Sequence, residues 1–229
     1  MMGAVSCHDE VSPRREALNG DYMSQVYPEN FVSRVTNSFL PLTPGSTFSF
    51  RTETDEGSEM GEIEVLNERK TILGIPCTVV KDKVYLNNQL IEDTYDWFAQ
   101  DKNGNVWYMG EHVDNYVNGV IDNHYGSWEA GLDGAEPGIM MAADPAPGLY
   151  YRQEHYLSQA EDQAEVVATD ESITVPAGTF KNCIKIRETN PLDPSFLEYK
   201  YYASGVGLVK VEKITDPAEV EELQSYEIK

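Results

Sequence analysis

Basic residues are scarce in this chain: 17 Lys and Arg stand against 39 Asp and Glu, for a formal net charge of -22. A field of that sign repels phosphate backbones and anionic headgroups, which argues against nucleic acid or acidic membrane surfaces as partners. It leaves attraction for cations, or a solubilising surface. Cysteine is sparse too, three in 229 residues and never as Cys-x-x-Cys, so neither a zinc ribbon nor a thioredoxin-type redox pair is encoded. Long apolar runs are missing: no segment reaches the ~18 residues that mark a helical membrane span. There is no Gly-x-Ser-x-Gly elbow, no His-Glu-x-x-His pair and no phosphate-cradling glycine loop, so nucleophilic and zinc-protease chemistry have no motif here.

What is present is strand punctuation. Residues 95–108 hold two aromatic, alternating runs hinged on Asn103-Gly104, a pair that accepts the positive φ of a tight turn. Phe48 to Glu53 and Glu62 to Leu66 alternate apolar and polar residues, Thr78 to Tyr85 is a longer run, and Asn87-Asn88 turns into Gln89 to Asp93. Later runs, at 150–157, 163–169, 171–175, 182–188, 197–203 and 206–214, are separated by Gly- and Pro-containing turns. Short turns between successive strands favour an antiparallel meander. The expected fold is mainly β, a single strongly curved antiparallel sheet forming a half-barrel or open barrel. One domain spans 29–229, after a disordered leader at 1–28 and one short helix near Pro28 to Val35. The last fifteen residues read as a short strand or a frayed tail. Between Gly110 and Gly148 lie seven glycines with Pro137, Pro145 and Pro147. The Gly/Pro-rich loop from Ser127 to Leu149 is long enough to be a lid over the concavity, with Trp128 as its apolar anchor.

The three cysteines divide by position. Gly3-Ala4-Val5-Ser6 before Cys7 resembles the tail of a bacterial lipoprotein signal peptide, in which Cys7 would be the lipidated residue. The plain alternative is a polar leader with an incidental cysteine. Cys77 and Cys183 each start a strand-like run, so neighbouring placement in a sheet would allow a disulfide; the alternative is two buried free thiols.

Three segments carry a family likeness: Asn37 to Phe48 with its Leu-Thr-Pro-Gly-Ser-Thr-Phe turn, Val175-Pro176-Ala177-Gly178-Thr179-Phe180 running to Cys183, and Tyr201 to Lys210 with Ser204-Gly205-Val206-Gly207. Together they resemble the DUF3108-like and LolA/LppX-like group of bacterial and archaeal secreted proteins and lipoproteins, over about residues 37 to 212. The resemblance implies a curved antiparallel sheet that cups an apolar ligand. No catalytic motif accompanies it.

Candidate site residues concentrate in the middle of the chain. Glu111 to Asp162 holds ten carboxylates and one Arg or Lys, Arg152. Asp114, Asp122 and Asp133 lie in or beside Gly/Asn-rich turns where carboxylates converge on calcium, although EF-hand spacing is absent; calcium is the one cofactor the sequence offers. Arg152 and Glu154 share a strand face with Tyr150 and Tyr156. With Trp128 and Glu129 from the loop, they form the expected ligand site. The alternative is a cross-strand ion pair packed by tyrosines. Were the protein an enzyme, Glu129 and Glu154 would be its acid/base pair. His112, His124 and His155 are too far apart for a local metal motif, but folding can gather them. The reading is an extracytoplasmic binding or carrier module for a small apolar or amphipathic ligand. A carboxylate-dependent hydrolase or lyase, and a structural or interaction protein without a pocket, are the alternatives.

Overall fold

Tight turns recur before a helical period can build, and the chain folds almost wholly as strands. β1 (Phe31–Val32), β2 (Thr36–Asn37) and β3 (Leu40–Pro41) are short. β4 (Thr47–Thr54), β5 (Gly57–Ile72), β6 (Ile75–Leu86), β7 (Gln89–Asp101) and β8 (Val106–Val117) form an antiparallel meander. Asn87 and Asn88, at φ 49° and 65°, make the β6–β7 turn in the left-handed region that asparagine tolerates best among residues with a side chain. β9 (Val120–Asn123), β10 (Trp128–Glu129) and β11 (Glu136–Met141) all pair with β8. β12 (Tyr150–Arg152) and β13 (Glu154–His155) precede a second meander of β14 (Gln163–Val175), β15 (Gly178–Asn190), β16 (Asp193–Ala203), β17 (Gly207–Lys213) and β18 (Glu219–Glu227). This computed structural model describes residues 22–23, 26–214 and 218–229.

The strand order is β12-β14-β15-β16-β17-β18-β4-β5-β6-β7-β8-β11-β13. β18 joins the two meanders by pairing with both β17 and β4, so the expected tail is an internal strand of the sheet. The two ends of the order, β12 and β13, lie on one chain segment, 150–155, which pairs first with β14 and then with β11. The single, strongly curved antiparallel sheet is therefore nearly a closed barrel. The segment turns at Gln153, where the N–H groups of Gln153 and Glu154 both donate to Asp162 O, at 2.8 and 3.2 Å. β2 and β3 form a separate small hairpin, tied to the barrel by Asn37 Nδ2 donating to Gly104 O and Ala142 O.

Several expectations are corrected. Cys77 and Cys183 are free, and five strands lie between β6 and β15 in the sheet order. Each thiol is buried in a different apolar cluster, and burial pushes Cys77 up to about 12. The helix near residue 28 shrinks to one 3-10 turn, Pro28–Asn30, followed directly by β1. Most of the 1–28 leader, Cys7 included, lies outside the described residues, but Tyr22 and Val26 are buried in the core. Tyr22 meets Trp107 edge-on, with ring centroids 5.5 Å apart, and its hydroxyl accepts from the Arg152 N–H. The 127–149 segment is not one uninterrupted loop, because β10 and β11 lie within it. No helix among the described residues is long and apolar enough to cross a membrane.

Candidate functional site

Register decides what the barrel encloses. Residues directly opposed across an antiparallel pair share a face. Val80 opposes Asp96 and Asp82 opposes Thr94 between β6 and β7, and Asp96 opposes Glu111 between β7 and β8. On the far wall Ile186 opposes Lys200, and Glu188 opposes Glu198. Acids and one lysine thus fall on an otherwise apolar inner face. Of these groups Asp82, Asp96 and Lys200 stand in the wall of a cavity of about 210 Å³, lined also by Phe48, Phe50, Ile63, Val80, Phe98, Met140 and Tyr202, with Leu40 to Leu42 beside it.

Electrostatics in this interior are one-sided. Lys200 Nζ lies 2.7 Å from Glu188 and 3.0 Å from Glu198, and Gln153 donates to Glu188 at 2.8 Å. Burial works against the Lys200 charge, but the two carboxylates outweigh it and hold the ammonium well above the usual lysine range. Burial, reinforced by Asp96, Glu221 and Glu92, raises Asp82 well above an ordinary carboxyl. Asp96 is pushed up to about 6 by burial, partly offset by the Tyr108 hydroxyl, which donates to it at 2.6 Å. Glu111 is pushed up to about 9 by burial and then by Asp96 and Glu154. Glu154 rises to about 8 through burial and Asp162. Both shifts favour the protonated carboxyl at neutral pH, while a cation entering the interior would meet a surplus of acid.

Outside this wall lies a cleft of about 640 Å³. Trp128, Glu129 and Tyr156 of the expected site line it, with Lys70, Trp97, Glu111 and His112. Lys70 Nζ sits 2.7 Å from Glu129 and 3.4 Å above the Trp97 ring, so the charges of this cleft are largely paired among themselves. Tyr150, Arg152 and Glu154 go elsewhere. The turn at Gln153 sends β12 and β13 to different partners and breaks the common face that the i, i+2 spacing implied. Tyr150 donates to Gln163, and Arg152 stacks 4.8 Å from the Tyr22 ring centroid. Glu154 joins the interior acids, whereas Glu129 is held by Lys70, so the two share no partner.

The calcium trio does not converge. Asp122 accepts from Asn123 at 2.7 Å, Asp133 lines the cleft, and Asp114 faces His112 and His124. His155 stands apart, paired with Glu136 at 2.8 Å. Trp128, the expected apolar anchor, is as buried as Trp97, 5 % exposed against 6 %, and it meets Tyr108 edge-on at 5.3 Å. Trp128→Ala and Trp97→Ala should therefore lower stability to within about 1 kcal/mol of each other, measured by urea denaturation. A markedly cheaper Trp128→Ala would support a lid anchored by Trp128.

Sequence reasoning passed over Asp82, Asp96, Glu111 and Lys200. A signal was there: Asp82 sits between Val80 and Val84 at the period-2 positions of one strand face, where a charge on an apolar stripe marks an inward carboxyl.

Residues 161–227, which span β14 to β18, match the DUF3108-like family. Among solved structures the chain is similar to a Bacteroides fragilis protein with a YmcC-like fold, taken to be exported. Identity is 14% and the TM-score 0.48, over 83% of this chain and 99% of that one. It is also similar to a Parabacteroides distasonis protein taken to be a lipoprotein, at 16% identity and a TM-score of 0.39, over 82% and 98% of the two chains. No curated protein sequence matches.

Proposed function

We propose that this chain is an extracytoplasmic binding module that takes a small amphipathic ligand with a basic head into the barrel interior. The observation that carries the reading is the 210 Å³ cavity, whose apolar walls end on Asp82 and Asp96, with Lys200 beside them. Its volume equals the share of about seven liquid waters, enough for a small alkyl or aromatic body. The charged groups that act on Asp82 most strongly, Asp96, Glu221, Glu92 and Asp93, are all acids, and Lys200 is already held by Glu188 and Glu198. A basic head supplies the missing counter-charge, and a paired, hydrogen-bonded charge offsets the cost of its own burial. A carrier of the LolA/LppX kind, anchored through lipidated Cys7, is the finer form of this proposal, supported by the residues around Cys7.

Hexylamine and hexanoic acid serve as probes in isothermal titration. The amine should bind and the acid should not. Asp82→Asn should weaken the amine by roughly tenfold, about 1.4 kcal/mol, the size of one charge-assisted contact, with the circular dichroism unchanged. Binding of neither probe, or preference for the acid, would remove the basic-head assignment. Native mass spectrometry of protein from its own host would read both a co-purifying amphiphile and a lipid mass on Cys7; absence of both counts against the carrier form.

A further inference from the structure

We propose that His112, Asp114 and His124 form a binding site for a divalent transition-metal ion of the zinc class at the rim of the cleft. One ligand atom from each lies within 4.8 Å of the others. His112 Nε2 is 3.3 Å and His124 Nδ1 2.8 Å from the same oxygen, Asp114 Oδ1, and the two imidazoles stack with centroids 5.2 Å apart. Donor atoms 2.0–2.2 Å from a tetrahedral zinc ion stand about 3.4 Å from one another. His112 and Asp114 already hold that separation, and His124 reaches it by opening about 0.6 Å from Asp114.

The chain builds this arrangement. His112 and Asp114 are two apart on β8 and share a face. The hairpin through Asn118 and Gly119 then brings His124 back beside them. Asn115 Nδ2 donates to Asn123 Oδ1 and Tyr125 O, and Ser127 Oγ accepts from the Val113 N–H at 2.8 Å, which pins the returning turn. His124 Nδ1 also lies 3.1 Å from Val113 O, so metal binding at that nitrogen requires the Nε2–H tautomer and gives up this contact.

A second observation points to a cation. Asp93 on β7 lies directly across from Asp114, on the same face. Oδ1 of each is shielded from solvent and accepts no hydrogen bond of good geometry. Lys81 Nζ serves the other oxygen of Asp93 at 3.2 Å. Like charges opposed across strands destabilise a sheet, and a bound cation removes the penalty. Two imidazoles and one carboxylate suit zinc, nickel or copper, whereas calcium prefers an all-oxygen shell. Three protein ligands leave a coordination position open. Because His112 also lines the cleft, that position is available to a donor atom of a molecule lying there.

The test uses the untagged full chain, stripped with a chelator and titrated calorimetrically with zinc chloride alone. One saturable equivalent is expected, not displaced by millimolar calcium. Cobalt in its place should give the visible absorption of a tetrahedral nitrogen/oxygen site. His124→Ala and Asp114→Ala should each weaken zinc by roughly tenfold or more, while His155→Ala leaves it unchanged. His112→Ala, which removes a half-exposed side chain, gives the same readout should either of those variants misfold by circular dichroism. Absence of saturable binding, binding that survives the His112 and His124 variants, or equal loss in His155→Ala overturns the site.

Discussion

Raising the pH from 6 to 8 at constant ionic strength should lower the melting temperature by about 10 °C. Glu111 and Glu154 hold their protons up to about 9 and 8 in the folded chain because they are buried beside other acids. In the unfolded chain a glutamate releases its proton near pH 4.3. The folded state therefore binds more protons across this window, and stability is greatest below the unfolded values and falls as pH rises through the folded ones. Asp96, at about 6, adds the same sign at the lower end. The carboxyls interact and titrate together, so one to two protons are counted over two pH units, about 3 to 5 kcal/mol, at roughly 2–4 °C per kcal/mol for a domain of this size. Calorimetric scans of the wild type against Glu111→Gln and Glu154→Gln measure it. The amides should flatten the slope, since they carry no proton to lose. A melting temperature that is flat or rising from pH 6 to 8 would mean that the interior acids are well hydrated.

Gly138→Ala should cost roughly 4 kcal/mol or more. A Cβ at this position would lie 2.0 Å from Gln153 O, 2.2 Å from Gln153 C and 2.9 Å from Arg152 O. All three are backbone atoms, so no side chain can swing away; β11 and the 150–155 segment must separate, and that segment is the barrel's closing joint. Gly134→Ala is the control: its Cβ would meet nothing within 4 Å, and its positive φ of 86° costs roughly 1–2 kcal/mol. Urea denaturation gives the difference, and hydrogen exchange at residues 150–155 locates it. Hexylamine binding should be lost with Gly138→Ala, because the cavity depends on closure. Two glycine variants equal within about 1 kcal/mol would show that the joint yields.

The elements were legible because their causes are local. Asn103-Gly104 and Asn87-Asn88 favour tight turns whatever surrounds them, and alternation along Phe48 to Glu53 or Thr78 to Tyr85 needs only a half-buried face to become a strand. From these alone a curved antiparallel sheet follows. Strand order does not. The acidic C-terminal run looks like a tail until β18 is seen between β17 and β4, a pairing of residues more than 160 positions apart with no local signature. The same order separates Cys77 from Cys183 and decides against a disulfide that their strand positions alone allowed. The site divides in the same way. Sequence spacing put Arg152 beside Glu154, but the turn at Gln153 parts them. Asp96 meets Glu111, and His112 meets His124, only through register and a returning hairpin. Aromatic and turn-forming residues act on their own neighbours, so the sequence by itself determined the kind of sheet. Which carboxylates lose their water, and which imidazoles share one oxygen, depends on distances across strands, and only the closed barrel sets those.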